Sequence, residues 1–302
     1  MVKKAKIKKN KKNIKKYINK KDNNINNINN LRNKISLELS NTVSIPKGLN
    51  LTDIEIKIIK HVKNNISNLH YYNSDLNFVK LNSKTIEKVK SSCLCRISDE
   101  FGTAVCISDK GYILTCSHAV PPYEDDKTKE CLYIFLNGEI IKTITLEKDD
   151  QLDLALLKIT EVLINEKFVK IEKIFEKKFI YSKIKSAQNQ KNEKIGTKVF
   201  CIGNPCFEMY DDEGKLKKNN YKPFCISFGK IKGYSRDGIY CKNDLGPLIH
   251  DCWTYWGHSG APIFNYNGEI VGMHNSWNEK NANRHGNSLL GINKFVSKFY
   301  FL

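Results

Sequence analysis

Three widely separated residues carry side chains suited to nucleophilic catalysis at a carbonyl carbon. His118 comes just after one apolar run, and Asp153 opens another. Ser259 lies in a glycine-rich stretch, between Gly257 and Gly260. A serine hydroxyl becomes a nucleophile when an imidazole takes its proton and a carboxylate orients that imidazole. Each residue alone is typical of an ordinary surface or turn position, but together they predict a catalytic group.

The glycines beside Ser259 predict a second catalytic feature, an oxyanion hole. Glycine adopts backbone torsions closed to other residues. We therefore expect the N–H groups of Gly257 and Ser259 to point toward one spot, where they could stabilise a developing negative charge. His258 is adjacent in sequence to Ser259 and is not expected to reach its hydroxyl.

The segments that must position these residues are short and predominantly β. From Cys93 onward, apolar runs alternate with turns, and Asn137-Gly138 and Asn267-Gly268 are strong hairpin signals. Many short strands with frequent turns predict an all-β sandwich or barrel. Residues 161–195 lack this alternation of apolar runs and turns and are interpreted as an irregular or helical connection. A helix is predicted near the C-terminus.

The N-terminal part of the chain has a different composition. Residues 1–50 are rich in lysine and asparagine, which predicts a basic, disordered tail because too little apolar surface is available for burial. Residues 51–92 are interpreted as a helical extension. Thr52 and Glu55 have the spacing of a capping box at the start of its first helix.

The motifs around the three candidate residues resemble those of the trypsin-like serine proteases of the chymotrypsin fold, the PA clan. They read Thr115-Cys116-Ser117-His118, Asp153-Leu154-Ala155-Leu156 and Gly257-His258-Ser259-Gly260-Ala261-Pro262. The resemblance implies a double β-barrel. Residues 93–195 would form the first barrel with His118 and Asp153, and 196–302 the second with Ser259 and the C-terminal helix. It also implies a serine endopeptidase that forms an acyl-enzyme.

Two branches of that family are suggested. The segments Gly203-Asn204-Pro205 and Ser227-Phe228-Gly229-Lys230-Ile231 look like the Deg/HtrA-type pattern. Thr254 and His274 occupy the spacing at which glutamyl endopeptidases and viral 3C-like proteases line the S1 pocket, which implies cleavage after Glu or Gln. A purely structural core role for His274 stays open. Trp253 stands where trypsin-like specificity requires Asp, so cleavage after Lys or Arg is disfavoured.

Composition limits the remaining function classes. The 302 residues carry a net charge of +18, and residues 1–21 hold eleven lysines and no acidic residue. The expected partner is a protein or peptide substrate, with a weak nucleic-acid contact through the tail as a further expectation. The alternative function is a catalytically silent, protease-like scaffold or a nucleic-acid-binding protein that uses the tail.

The sequence also predicts the cellular setting. We expect no membrane span and no secretory signal, and hence an intracellular location, in the cytoplasm or the nucleus. The ten cysteines are then expected to be reduced thiols. None of them has the spacing of a zinc site, so no metal and no cofactor are expected.

Overall fold

The computed structural model describes residues 51–66, 70–73, 75–121, 130–174, 176–186, 191–210, 215–235, 238–239, 245–278 and 282–299. The predicted basic tail at 1–50 lies outside these residues. Within the described residues the chain forms three α-helices: α1 (Asp53–Lys63), α2 (Leu76–Ser91) and α3 (Leu289–Val296). Within the described part of the chain, none of the helices is both long and apolar enough to cross a membrane.

The first barrel is built from six antiparallel strands in the order β3-β2-β1-β4-β5-β6. Pairing of β3 with β6 closes it, and β7 adds a seventh strand beside β6. The strands are β1 (Cys93–Arg96), β2 (Thr103–Cys106), β3 (Tyr112–Thr115), β4 (Glu130–Phe135), β5 (Ile140–Asp149), β6 (Leu154–Ile164) and β7 (Lys167–Lys170).

The second barrel is closed in the order β11-β12-β15-β14-β13-β8, and a small two-stranded sheet, β9–β10, lies outside it. The strands are β8 (Lys198–Gly203), β9 (Glu208–Tyr210), β10 (Leu216–Lys218), β11 (Cys225–Tyr234), β12 (Leu248–His250), β13 (Ala261–Asn265), β14 (Ile270–Trp277) and β15 (Arg284–Ser288). The predicted all-β, chymotrypsin-like double barrel with a C-terminal helix is confirmed.

Both predicted hairpins form around glycines with left-handed backbone torsions. Gly138 has φ +85° and Gly268 has φ +77°. The Asn137 side chain also accepts a hydrogen bond from the Glu139 N–H at 2.9 Å, which stabilises the first turn. These positions favour glycine because a Cβ atom makes positive φ unfavourable.

The interpretation of residues 161–195 as an irregular or helical connection is wrong for its first part. Strand β6 continues to Ile164, and β7 follows after a two-residue turn at Asn165 and Glu166. Both turn residues have positive φ, 47° and 64°. The charged side chains of this hairpin obscure the alternation of apolar and polar residues by which a strand is recognised in a sequence.

The apolar side chains of the described residues form three buried clusters. One fills the first barrel and one the second. The third joins both barrels to the N-terminal helices: it contains Ile58 and Val62 of α1, Ile86 of α2, Leu156 of β6 and Phe264 of β13. The helices predicted as an extension therefore share a hydrophobic core with the barrels.

Helix α1 begins with the capping box expected from the sequence. The Thr52 hydroxyl accepts from the Glu55 N–H at 3.4 Å, and the Glu55 carboxylate accepts from the Thr52 N–H at 2.8 Å. These two bonds satisfy backbone donors that a helix start otherwise leaves unpaired.

Candidate active site

The three candidate residues lie at the ends of different elements. His118 occupies a short 3-10 turn, Ser117–Ala119, immediately after β3. Asp153 directly precedes β6 and has φ +49°, a left-handed conformation that is uncommon for residues other than glycine. Ser259 lies two residues before β13, in the loop that enters the second barrel.

The structure brings these side chains into one hydrogen-bonded line. His118 Nδ1 lies 2.9 Å from Asp153 Oδ1 and 3.0 Å from Oδ2. His118 Nε2 lies 2.9 Å from the Ser259 Oγ. Because a carboxylate only accepts, Nδ1 is the donor to Asp153, which leaves Nε2 as the acceptor for the Ser259 proton in the neutral imidazole.

Asp153 is held in place by several donors. Its Oδ1 accepts from the His118 N–H at 3.1 Å and from the Ser117 hydroxyl at 3.2 Å, and its carbonyl oxygen accepts from the Asn287 amide at 3.2 Å. The Asp153 side chain is 12% exposed, whereas that of His118 is 50% exposed. The carboxylate is therefore a buried, paired charge, and the imidazole is open to a substrate.

Among the described residues, two backbone N–H groups around Ser259 have no hydrogen-bond partner. The Trp256 carbonyl accepts from the Cys206 N–H at 2.7 Å, and the His258 carbonyl accepts from the Ala261 N–H at 2.8 Å. In a trans peptide the carbonyl and the next N–H point in opposite directions. The N–H groups of Gly257 and Ser259 therefore point away from these acceptor contacts, and within the described residues neither donates a hydrogen bond.

Gly257 and Gly260 are required by the geometry of this loop. Gly257 has φ +92°, and a Cβ there would lie 2.3 Å from the Asn204 carbonyl oxygen. Gly260 has φ +82°, and a Cβ would lie 2.0 Å from the Thr103 carbonyl oxygen. Thr103 also ties the loop to the first barrel, because its hydroxyl donates to the Gly257 carbonyl at 2.8 Å.

The two residues expected to line the S1 pocket are buried on one flank of Ser259. Thr254 is 7% exposed and His274 is 4% exposed. His274 Nδ1 lies 3.2 Å from His250 Nε2. Within the described residues, the Thr254 hydroxyl and the His274 Nε2 make no hydrogen bond, so both are available to a ligand.

Sequence reasoning missed two members of this flank, His250 and Arg284. Strand register places Arg284 opposite both His250 and Trp277. The buried Arg284 Nε has no partner among the described residues. The only sequence signal was the run of polar residues in β15, Arg284-His285-Gly286-Asn287, which is unusual for a barrel strand.

The histidines of this flank are neutral at pH 7. Burial lowers the pKa of His250 to about 3, with the Arg284 charge as the next cause. Burial also lowers the pKa of His274 well below its usual value, and the nearby His250, His258 and Arg284 lower it further. His258 lies between Trp253 and His274, and burial lowers its pKa to about 3.

These buried histidines make folding stability depend on acidity. Histidines in the unfolded chain have pKa values near 6.5. Below that pH the unfolded chain therefore binds protons at these histidines, whereas the folded protein does not. Each fully buried histidine costs about 1.4 kcal/mol of unfolding free energy per pH unit below 6.5. We predict that the free energy of unfolding falls by about 3 kcal/mol for each such histidine between pH 7 and pH 4.5, measured by urea unfolding. A His258→Gln variant should lose less over this range. Stability that stays constant from pH 7 to pH 5 would contradict the prediction.

One group in the described residues has donor atoms close enough to hold a metal ion. The donor atoms of Cys116, His118 and Asp153 lie within 4.8 Å of one another. However, His118 and Asp153 are hydrogen-bonded to each other, and the Cys116 thiol donates to the His274 carbonyl at 3.4 Å. The donor set therefore fits the hydrogen-bonded line better than a metal centre.

Comparison with known proteins gives a family match. Residues 102–273 match the model of a family described as "Trypsin-like peptidase domain". The match covers more than half of the chain and includes His118, Asp153 and Ser259. No curated protein sequence matches significantly.

Among solved structures, the chain is similar to one titled "Crystal structure of the serine endoprotease from Yersinia pestis". The identity is 19% and the TM-score is 0.48, with 72% of this chain and 65% of that chain covered. The chain therefore spans slightly less than two thirds of the length of that protein.

Proposed function

Because the chain belongs to the family of trypsin-like peptidase domains, we propose that it is a serine endopeptidase that cleaves through an acyl-enzyme. The observation that carries the proposal is the line from Asp153 through His118 to Ser259, with contacts of 2.9 to 3.0 Å. The substrate is a protein or peptide. We further propose that the enzyme prefers Glu or Gln at P1, the substrate residue that supplies the scissile carbonyl.

The acylation step uses the three side chains in sequence. The Ser259 Oγ attacks the scissile carbonyl carbon while its proton moves to His118 Nε2. The carboxylate of Asp153 stabilises the resulting imidazolium through its contact with Nδ1. His118 then gives the proton to the leaving amine nitrogen, the C–N bond breaks, and Ser259 holds the acyl group as an ester.

Negative charge on the carbonyl oxygen is stabilised by the free N–H groups of Gly257 and Ser259. They are fixed by the peptide orientations described above, so no reorganisation is required as the charge develops. Deacylation repeats the sequence with water: His118 removes a proton from water, the hydroxide oxygen attacks the ester, and Ser259 Oγ leaves and recovers its proton from His118.

Preference for Glu or Gln is supported by the direction of the hydrogen bond between two histidines beside Ser259. They belong to the histidine flank, which we define as His250, Thr254, His274 and Arg284. When the neutral His250 donates from Nε2 to His274 Nδ1, His274 carries its own proton on Nε2. That N–H and the Thr254 hydroxyl can donate to a side-chain carboxylate or carboxamide. The Arg284 charge, near enough to lower the pKa of both histidines, favours the carboxylate.

A panel of peptides differing only at P1 tests this preference. We expect kcat/KM to be about 10- to 100-fold higher for Glu than for Leu, the range of one charged hydrogen bond. The variants His274→Ala and Arg284→Met should reduce that ratio. Lys198→Met is the matched control, since Lys198 belongs to the same barrel but pairs with Asp75 at the surface, at 3.4 Å. Faster turnover of Leu or Lys than of Glu and Gln would overturn the preference.

We also propose that the protein works in a reducing, intracellular compartment. The nine cysteines in the described part of the chain are free thiols, and all are buried. Burial raises the pKa of these thiols, for example to about 11 for Cys131 and about 12 for Cys95, so they are poor nucleophiles at neutral pH.

A further inference from the structure

A cavity of about 800 Å³ opens beside the nucleophile on the side away from the histidine flank. Its lining includes His118, Gly257 and Ser259 but neither Thr254 nor His274. In the proposed reaction the acyl half of the substrate extends toward the histidine flank, and the leaving amine takes its proton from His118. The cavity therefore lies where the leaving half of the substrate must pass.

Part of the cavity lining is apolar. This part is formed by Phe101 and Ala119 of the first barrel, by Met209 and Leu216 of the β9–β10 sheet, and by Trp256. Trp256 is 61% exposed and Leu216 is 37% exposed, so much of this apolar surface faces solvent. Exposed apolar surface next to a reactive group is typical of a ligand-binding site.

Helix α1 forms the outer wall, although it lies outside the matched family region. Asp53, Ile54 and Lys57 line the cavity. Ile58 and Val62 of the same helix are buried in the shared core. Ile54, one turn before Ile58, packs against that core and also lines the cavity. The helix is therefore a fixed wall and not a loose appendage.

Two contacts attach α1 to strand β9 and to Phe207, the residue just before it. Lys57 Nζ lies 2.9 Å from the Glu208 carboxylate, and the His61 ring stacks on Phe207 at 4.2 Å. Arg96, the second basic residue of the cavity, pairs with Glu100 at 3.0 Å. Both cations already have acidic partners, and the lining also contains Asp53 and Asp99. The charged part of the lining therefore disfavours an acidic side chain, and the apolar walls offer the surface that a ligand side chain can bury.

We propose that helix α1 and the β9–β10 sheet form a binding site for the leaving half of the substrate. The site takes a large apolar side chain, such as Leu or Phe, within the first two residues after the scissile bond. The proposal rests on the proposed peptidase function, because the leaving half is defined by the direction of acyl transfer to Ser259.

The test compares two kinds of substrate that share one acyl half. The first is a peptide amide with Leu, Phe, Gly or Asp at the two positions after the scissile bond. The second is a p-nitroanilide with no residue after the bond. For the unmodified protein, we expect kcat/KM to be at least 10-fold higher for the Leu or Phe peptides than for the Gly peptide.

The variants Ile54→Asp and Leu216→Asp should each reduce this preference about 10-fold, measured as the rate ratio of the Leu peptide to the p-nitroanilide. Leu216 is partly exposed, so its substitution tests the site even if Ile54→Asp lowers stability. Lys60→Ala, on the exposed part of α1 outside the cavity, is the control and should leave the ratio unchanged.

The outcomes separate this inference from the proposed function. If the protein hydrolyses neither the peptides nor the p-nitroanilide, the peptidase function itself is contradicted. Hydrolysis of the p-nitroanilide without any preference for Leu or Phe would overturn only the leaving-side site. An equal loss on both substrates in the two variants would also overturn it, because the walls would then act through folding and not through binding.

Discussion

Replacing Ser259 with alanine is expected to lower kcat about a millionfold, the loss seen when a serine that acts as one unit with its base is removed. The variant keeps the His118–Asp153 pair but has no oxygen to attack the carbonyl carbon. Steady-state hydrolysis of a peptide cleaved by the unmodified protein measures the loss. The melting temperature should be unchanged, because among the described residues the hydroxyl contacts just His118 and, at a long 3.4 Å, the Asn275 carbonyl.

Ser297→Ala is the matched control for this substitution. Ser297 follows helix α3, and its hydroxyl donates to the Lys294 carbonyl at 2.9 Å, a local bond unrelated to the active site. It should retain full activity. If Ser259→Ala kept one tenth of the activity, another group would be the nucleophile and the assignment would be wrong.

Replacing Asp153 with asparagine is expected to lower kcat about 10,000-fold. An amide in this position can donate to His118 Nδ1, which then places the imidazole proton on Nε2, facing Ser259. The imidazole in that tautomer cannot accept the hydroxyl proton. The loss should appear in kcat for every substrate in a P1 panel, because Asp153 acts on the imidazole and not on the substrate side chain.

Asp150→Asn supplies the control for the aspartate. Asp150 lies three residues earlier in the chain, its side chain is 80% exposed, and its contact with Lys148 is long, at 3.8 Å. Exposed pairs of this kind contribute little, so activity and stability should match those of the unmodified protein. A loss of less than 10-fold in Asp153→Asn would exclude the proposed role of the carboxylate.

Much of the site could be predicted from the sequence because its signals are local. His118, Asp153 and Ser259 each follow or precede an apolar run, and a short motif fixes the backbone around each one. The hairpins at Asn137-Gly138 and Asn267-Gly268 are equally local, since positive φ at the glycine dictates the turn. The family match confirms the resemblance that these motifs indicated.

The histidine flank could not be predicted because it depends on strand register. His250 reaches His274 through β15, which pairs with both β12 and β14. A one-residue change in either register would turn the side chains to the opposite face of the sheet. Nothing near His250 in the sequence specifies that alignment.

Helix α1 was predicted from its capping box, but its contribution to the active-site cavity was not. That contribution arises because Ile58 and Val62 bury one face of the helix in the core shared by both barrels. Ile54, which packs against this core one turn before Ile58, and the exposed Lys57 are thereby held at the cavity. Such tertiary packing brings together residues about 200 positions apart, which a local pattern does not encode.

Labelling with a fluorophosphonate, followed by peptide mass spectrometry, tests the central claim most directly. The claim is that the Asp153–His118–Ser259 line activates one serine among many. We predict a single modified residue, Ser259, with labelling lost in Ser259→Ala and strongly slowed in Asp153→Asn. Absence of labelling in the folded protein, or modification of a different serine, would contradict the account.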